Sequence, residues 1–226
     1  MYLACAVVPA QAQEPRAAPA NVVQLSASGS VEAAQDLLTL RLSTRREAAD
    51  ANTVQTQLKV ALDQALAVAR AQARSGALDV RTGHMGLSPR YGRDGQVNGW
   101  QGSAELVLEG TDFARITATA GKVQTMVVAQ VAMGLSREAQ RKLEADAQAL
   151  GIDAFKRKAD EVARGFGFSG YTLREVSVSD GGQPPMVPQP RMMAMEAKSA
   201  SADMAVPVEA GKATVSVTVS GSIQLK

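Results

Sequence analysis

Cysteine, histidine and aromatic residues are scarce in this chain. Its 226 residues include one cysteine, Cys5, and one histidine, His84, and aromatic residues make up only 4%. Beyond Cys5 there is no thiol to serve as a nucleophile or a metal ligand. The small number of aromatic residues argues against a surface on which nucleic-acid bases stack. The net charge is +2, and because basic and acidic residues are interspersed, the sequence lacks the basic patch of a nucleic-acid binder. We therefore expect no nucleic-acid partner.

Long hydrophobic runs are absent as well. No stretch of 18 or more apolar residues occurs, so no membrane-spanning helix is predicted. The composition, 46% hydrophobic and 20% charged, is that of a globular protein whose length allows one domain or two small ones.

The N-terminus, MYLACAVVPAQAQEPR, is apolar from Tyr2 and then reads Ala10-Gln11-Ala12. A small-x-small triplet after an apolar stretch is typical of a signal-peptidase site. We interpret residues 1–12 as a signal peptide and residues 13–21 as a flexible lead-in, which predicts an exported protein of the periplasm or outer envelope. Two alternatives stay open: a buried N-terminal strand, and a lipoprotein in which Cys5 is acylated.

The remaining pattern predicts the order ββ, α, ββ, α, β, α, β, long loop, β. Because several strands are joined by hairpins, we expect an α+β domain over residues 22–226, with a mixed or antiparallel sheet packed by two long helices and one short helix. Period-two alternation is clearest in two strands, whose inward residues are predicted to be Leu38, Leu40 and Leu42 in one and Val215, Val217, Val219, Ile223 and Leu225 in the other. Gly29 interrupts the first strand and suggests a bulge.

Helix signals are also specific enough to test. Thr44 and Glu47 have capping-box spacing before a helix over 48–74, and Thr111 precedes a short helix over 111–123. Ser136 begins the second long helix, in which Gly151 suggests a close crossing or a break. The apolar stripe of that helix is predicted to be Leu143, Ala147, Leu150, Ala154, Lys158 and Val162.

Two strands are predicted from shorter patterns. Residues 125–135 are β-branched and apolar, which indicates a buried strand that includes Met126 and Met133. Residues 172–179 alternate, with Leu173 and every second residue after it expected to face inward.

No constellation of catalytic residues emerges. His84 has no acidic or thiol partner at a recognisable spacing, so a structural or surface role is favoured over catalysis. No Gly-x-Ser-x-Gly elbow is present, and the GxGxxG spacing at 165–170 follows a helix rather than a strand, which is the wrong order for a dinucleotide site. We expect a protein that is not an enzyme and has no cofactor.

Methionine, in contrast, is concentrated in one segment. Residues 180–204, DGGQPPMVPQPRMMAMEAKSASADM, hold five of the nine methionines and four prolines. Thioethers suit Cu(I), and Met192, Met193 and Met195 are close enough to converge on one ion. Exposed methionines can also act as oxidant sinks. The third interpretation, a mobile connecting loop over 180–211, requires no site.

The ordered set of segments resembles the SIMPL-domain family, also called DUF541. The resemblance is carried by VVQLSASGSV, DLLTLRLST, DVRTGHMGLSPRY, NGWQGSAELVLEG, DAFKRKADEVARGFG, and the ending GGQPPMVPQPRMMAMEA followed by VEAGKATVSVTVSGSIQL. It covers residues 22–226. The resemblance implies an α+β fold, export to the periplasm or outer envelope with peripheral association with the outer membrane, homo-oligomers that are ring-like or channel-like, and a link to oxidative stress. It implies no catalytic residues.

Overall fold

The computed structural model describes residues 20–180 and 209–226. These residues form strands and helices in the predicted order: β1 (Val22–Ala34), β2 (Leu37–Ala48), α1 (Ala51–Gln72), β3 (Asp79–Tyr91), β4 (Val97–Gly110), α2 (Phe113–Lys122), β5 (Val127–Gly134), α3 (Arg137–Gly165), β6 (Tyr171–Asp180) and β7 (Lys212–Leu225). The predicted signal peptide with Cys5, and residues 181–208 of the predicted loop, lie outside the described residues. None of the described helices is both long and apolar enough to span a bilayer.

The strands form two sheets. One has the order β1-β7-β6 and the other β3-β4-β2-β5, and every pairing is antiparallel. The α+β class, the antiparallel pairing and the three helices confirm the prediction, whereas the single sheet that it envisaged is divided in two. The division occurs at Gln35 and Asp36, where the chain leaves β1 for β2 without pairing the two strands.

The four-stranded sheet carries the larger core. Leu38, Leu40 and Leu42 of β2 are fully buried beneath α1 and α2, as their alternation predicted. The apolar stripe of α1 supplies the opposing side of this core through Val54, Leu58, Ala61, Leu62, Ala65 and Ala69. Helix and sheet therefore each bury the face that their sequence periodicity marks as apolar.

Helix α3 packs on the three-stranded sheet across β1 and β7. The predicted inward face of β7 is confirmed, since its five residues are buried. Gly29 is paired with Val217 in unbroken register, so the predicted bulge there is wrong. A Cβ built on Gly29 would lie 2.2 Å from the carbonyl oxygen of Ala147 and 2.3 Å from the amide nitrogen of Gly151. The close crossing suggested at Gly151 is confirmed.

The stripe predicted for α3 was partly wrong. Leu143 and Ala147 are buried, but Leu150 is 49% exposed and Lys158 is exposed. The buried positions instead recur at every fourth residue: Leu143, Ala147, Gly151, Phe155, Ala159 and Ala163. Leu150 was placed in the predicted stripe because it is apolar. It lies outside the row of every fourth residue with which α3 contacts the sheet.

Two of the three predicted helix starts were wrong. Thr44 lies within β2 and is buried, and Glu47 pairs with Gln101 in the same sheet, so neither caps a helix. Helix α1 begins after Asp50, whose carboxylate accepts hydrogen bonds from the Thr53 amide at 2.8 Å and the Thr53 hydroxyl at 2.7 Å.

The short helix α2 is capped one residue later than predicted, by Asp112 rather than Thr111. The cap predicted at Ser136 is confirmed, because its hydroxyl accepts from the Ala139 amide at 3.2 Å.

Two strands lie at sheet edges and are more exposed than predicted. Strand β5 was expected to be buried, but its residue Val127 is 70% exposed. Met126, just before β5, is buried and Met133 is half-buried. Strand β6 was expected to bury Leu173, which is 52% exposed. Apolar composition identified β5 and alternation identified β6, but neither pattern could show that the strand would lie at a sheet edge.

Candidate functional site

His84 lies in the edge strand β3, with its side chain exposed. It borders an open depression of about 290 Å³ that is also lined by Arg45, Ser88, Gln101 and Ser103. Its backbone amide donates to the Glu105 carboxylate at 3.4 Å. Among the described residues no nucleophile is hydrogen-bonded to the imidazole, so the geometry offers no base and nucleophile pair.

The residues nominated as metal ligands, Met192, Met193 and Met195, lie outside the described residues. In residues 20–180 and 209–226, no three His, Cys, Asp or Glu side chains are grouped in a way that could hold a metal ion.

A cleft of about 970 Å³ lies between one end of the four-stranded sheet and the start of α3. There the Asp36 carboxylate accepts hydrogen bonds from the amide and the hydroxyl of Ser136, both at 2.6 Å. Burial alone would raise the pKa of Asp36, but these hydrogen bonds outweigh it and hold the pKa below its ordinary value. Asp36 thereby ties the connection between the sheets to the start of α3.

Other polar groups around this cleft are also engaged with one another. The Asp79 carboxylate accepts from the Gly76 amide at 3.3 Å, and the Thr111 hydroxyl donates to the Gly76 carbonyl oxygen at 3.1 Å. Such mutual hydrogen bonding is what a structural joint requires.

The sheet faces opposite the helices differ in chemistry. The four-stranded sheet presents ion pairs, with Arg41 and Glu105 3.7 Å apart and Arg81 and Glu109 3.6 Å apart. The three-stranded sheet presents hydroxyl groups, among which Ser28 and Thr218 share a hydrogen bond of 3.0 Å. Cross-strand pairing places Ser26, Ser220 and Ser177 in one row of this face and Ser28, Thr218 and Ser179 in the next.

Four of the described strands form the sheet edges, and each carries some feature that discourages further pairing, which in β6 is a single shift in its pairing with β7. In β1, the Lys158 ammonium donates to the Ser26 carbonyl oxygen at 2.9 Å. Strand β3 contains Pro89 and has two shifts in its pairing with β4. Strand β5 has only eight residues and one shift in its pairing with β2. Short length, proline, bulges and lysine are common means of protecting an edge.

The fourth edge strand, β6, combines an open edge with exposed apolar side chains. Within the described residues it pairs only with β7. Leu173, Val176 and Val178 are respectively 52%, 45% and 44% exposed. An edge of this kind is a template for pairing with another strand.

A bulge in β6 places these three side chains on one face. Leu173 pairs with Ile223, but the next pairing joins Glu175 to Ser222, so that Arg174 is an extra residue. In an unbroken strand, Leu173 would face away from Val176 and Val178, since successive side chains alternate. The extra residue restores Leu173 to the face that carries α3, where Ile223, Val219 and Val217 are buried.

Comparison with protein-family models establishes the family of this chain. The model of the SIMPL family, described as a protein of unknown function (DUF541), matches residues 23–223. The chain belongs to the SIMPL family. The matched range begins in β1 and ends in β7, so both sheets lie within the SIMPL domain. A search of curated proteins finds no match.

The sequence predictions missed the exposed apolar row of β6 in this SIMPL domain. The signal was present as Leu173, Val176 and Val178 with a spacing of three and then two, which breaks strict alternation. A break of this kind indicates a bulge, and it could have been read from the sequence.

Proposed function

We propose that this SIMPL-domain protein is an exported, non-enzymatic protein that assembles with copies of itself and serves cell-envelope or oxidative-stress homeostasis. The observation that supports the assembly is the edge strand β6, with three half-exposed apolar side chains beside unpaired backbone in the described residues. A protein stable as a single copy gains nothing from an exposed apolar edge, whereas an assembling protein uses it.

The other parts of this proposal have separate support. The proposed export rests on the apolar N-terminus and its Ala10-Gln11-Ala12 triplet. The non-enzymatic role rests on the single histidine, His84, and on the lack of a nucleophile motif in the sequence. The homeostatic role follows the resemblance to envelope proteins of the family, as do the ring-like or channel-like assembly and peripheral association with the outer membrane.

Size-exclusion chromatography with light scattering tests the assembly. We expect the mature chain at micromolar concentration to have a mass that is a multiple of that of one chain. A single-chain mass at every concentration would contradict the proposal. Cell fractionation tests the location, for which we expect the protein in the periplasmic or outer-membrane fraction, beginning near Gln13.

A second candidate function is the binding of Cu(I) or another small ligand by the methionine-rich segment. It is favoured by the concentration of five of nine methionines within residues 180–204. Titration of Cu(I) into the wild type and into a variant with Met192, Met193 and Met195 replaced by Ala discriminates the two candidates. Loss of binding in the variant would support the metal site, and equally weak binding by both proteins would eliminate it.

A further inference from the structure

The apolar row of β6 (Leu173, Val176 and Val178) is uncovered because α3 is too narrow for three strands. Helix α3 lies across β1 and β7, and its contact with β6 is slight. A helix is about 10 Å wide and strands lie about 4.8 Å apart, so one helix covers about two strands. A cover for the row would have to come from beyond β6.

We infer that the row is covered by β6 of a second copy, paired antiparallel about a twofold axis between Arg174 and Glu175. This inference rests on the proposed self-assembly and names its surface. Two three-stranded sheets would then join as one six-stranded sheet.

Charge favours a second copy as the occupant. Arg174 and Glu175 are adjacent and exposed near the middle of β6, and within the described residues neither forms a salt bridge. Antiparallel pairing about an axis between them brings each arginine beside the glutamate of the other copy. Opposite charges facing each other across a strand pair are stabilising, and like charges are destabilising.

The side chains of β6 match in the same register. Leu173 faces Val176 of the second copy, Tyr171 faces Val178, and Thr172 faces Ser177. Apolar side chains thus meet apolar ones, and hydroxyl groups meet hydroxyl groups. A shift by one residue would place Leu173 opposite Ser177 or Glu175, and such a slip is disfavoured wherever one face is apolar.

The bulge at Arg174 is what makes this register consistent. It places Tyr171 and Leu173, which precede it, on the same face as Val176 and Val178, which follow it. Because the twofold axis is perpendicular to the joined sheet, both α3 helices lie on one side. The apolar rows of the two copies then lie side by side in the groove between these helices, where they bury each other.

Charge reversal provides the first test. Arg174→Glu and Glu175→Arg each place like charges across the axis, and each variant alone should associate about tenfold more weakly or worse. Mixed together, the two variants restore both opposite-charge pairs, so mixed pairs should form. Native mass spectrometry with one variant isotopically labelled detects them. Arg157→Glu and Glu161→Arg on the exposed side of α3 make the same charge changes and should leave association unchanged.

Cross-linking provides the second test. In a Cys5→Ser background, the Leu173→Cys/Val176→Cys variant should form disulfide-linked pairs on oxidation, because each cysteine faces its counterpart in the second copy. A Thr172→Cys/Val178→Cys variant places its cysteines out of register and should not cross-link. Circular dichroism and the melting temperature of each variant show whether it is folded.

The outcomes separate this inference from the proposed function. Assembly of the wild type with no sensitivity to charge reversal, no rescue on mixing and no cross-link would overturn the β6 contact while leaving self-assembly in place. The same result would follow if another protein, or another part of the same chain, occupied β6. A wild type that remains a single chain would overturn both proposals.

Discussion

The two sheets of this SIMPL domain bury their strands to different degrees. Two helices pack on the four-stranded sheet, and the apolar side chains of its central strands β4 and β2 that face them are buried. One helix packs on the three-stranded sheet, where β7 is buried and β6 is left half-exposed. Strands of similar composition thus have different surroundings in the two layers. The comparison teaches that apolar strands which no helix covers remain available for contacts in either layer, as Val127 of β5 and Leu173 of β6 show.

The largest expected effect tests how closely α3 must approach its sheet. Gly29→Val would place side-chain atoms against the backbone of Ala147 and Gly151, at positions that cannot rotate away. We expect a loss of about 3 kcal/mol or more in the free energy of unfolding. Gly165→Ala in the same helix is the control, because nothing lies within 4 Å of its Cβ. Urea unfolding measures both variants, and near-wild-type stability of Gly29→Val would refute the close contact.

The same experiment asks whether the two layers unfold together. Trp100, the only tryptophan, packs against the core of the four-stranded sheet, so its fluorescence reports on that layer. If the fluorescence and circular dichroism of Gly29→Val change at the same urea concentration, the layers form one cooperative unit. Separate transitions would show that the smaller layer can unfold alone.

A neighbouring pair in one sheet sharpens the comparison between covered and uncovered strands. Ile223 of β7 is buried, and its partner Leu173 of β6 is 52% exposed. Ile223→Ala should cost about 2–5 kcal/mol in the free energy of unfolding. Leu173→Ala should cost less than about 1 kcal/mol in the separated chain, since little surface is re-exposed. Thermal unfolding at low protein concentration compares them, and equal losses would mean that Leu173 is buried in the single chain.

A smaller effect is expected at the joint between the layers. Ser136→Ala removes the cap of α3 and one hydrogen bond to Asp36, and should cost about 1 kcal/mol. The pKa of Asp36 is lower in the folded protein than its unfolded value of 3.8. Asp36 therefore contributes fully to the free energy of unfolding above pH 3.8, and this contribution is lost as the pH falls through the lower, folded pKa. Ser136→Ala should therefore weaken the decline of stability below about pH 4. Urea unfolding at a series of pH values measures this, and an unchanged decline would contradict the role of Asp36.

The smallest effect is expected at an exposed ion pair. Lys59 and Asp63 lie 2.9 Å apart on the outer side of α1, with side chains 74% and 58% exposed. Because water screens such a pair, Lys59→Ala should leave the free energy of unfolding nearly unchanged. A loss as large as that of Ile223→Ala would show that the covered core does not dominate stability.

Periodicity predicted the elements well because it reflects local geometry. The alternation of Leu38, Leu40 and Leu42 and that of β7 both identified buried faces correctly. Helix starts were predicted less well, since Thr44 satisfies the capping pattern but lies in a strand that extends to Ala48. A capping motif is only two residues, and the pairing of β2 with β4 outweighs it.

Which side chains are exposed at the surface could be predicted least. Residues 125–135 and 172–179 carry the patterns of strands, but exposure depends on which neighbour each strand has. The candidate ligands Met192, Met193 and Met195 lie outside the described residues, so the metal hypothesis stays a prediction. Assembly, export and the non-enzymatic role likewise remain to be tested by the experiments above.

By itself, the sequence of this protein determined the order of its strands and helices, its α+β class and its membership of the SIMPL family, because hydrophobic periods and turn signals act over a few residues. Only the tertiary structure decided that the strands divide into two sheets and that one helix leaves β6 uncovered. Sheet order arises from pairings such as that of β1 with β7, which joins residues nearly two hundred positions apart. Contacts over that separation leave no local pattern in the sequence.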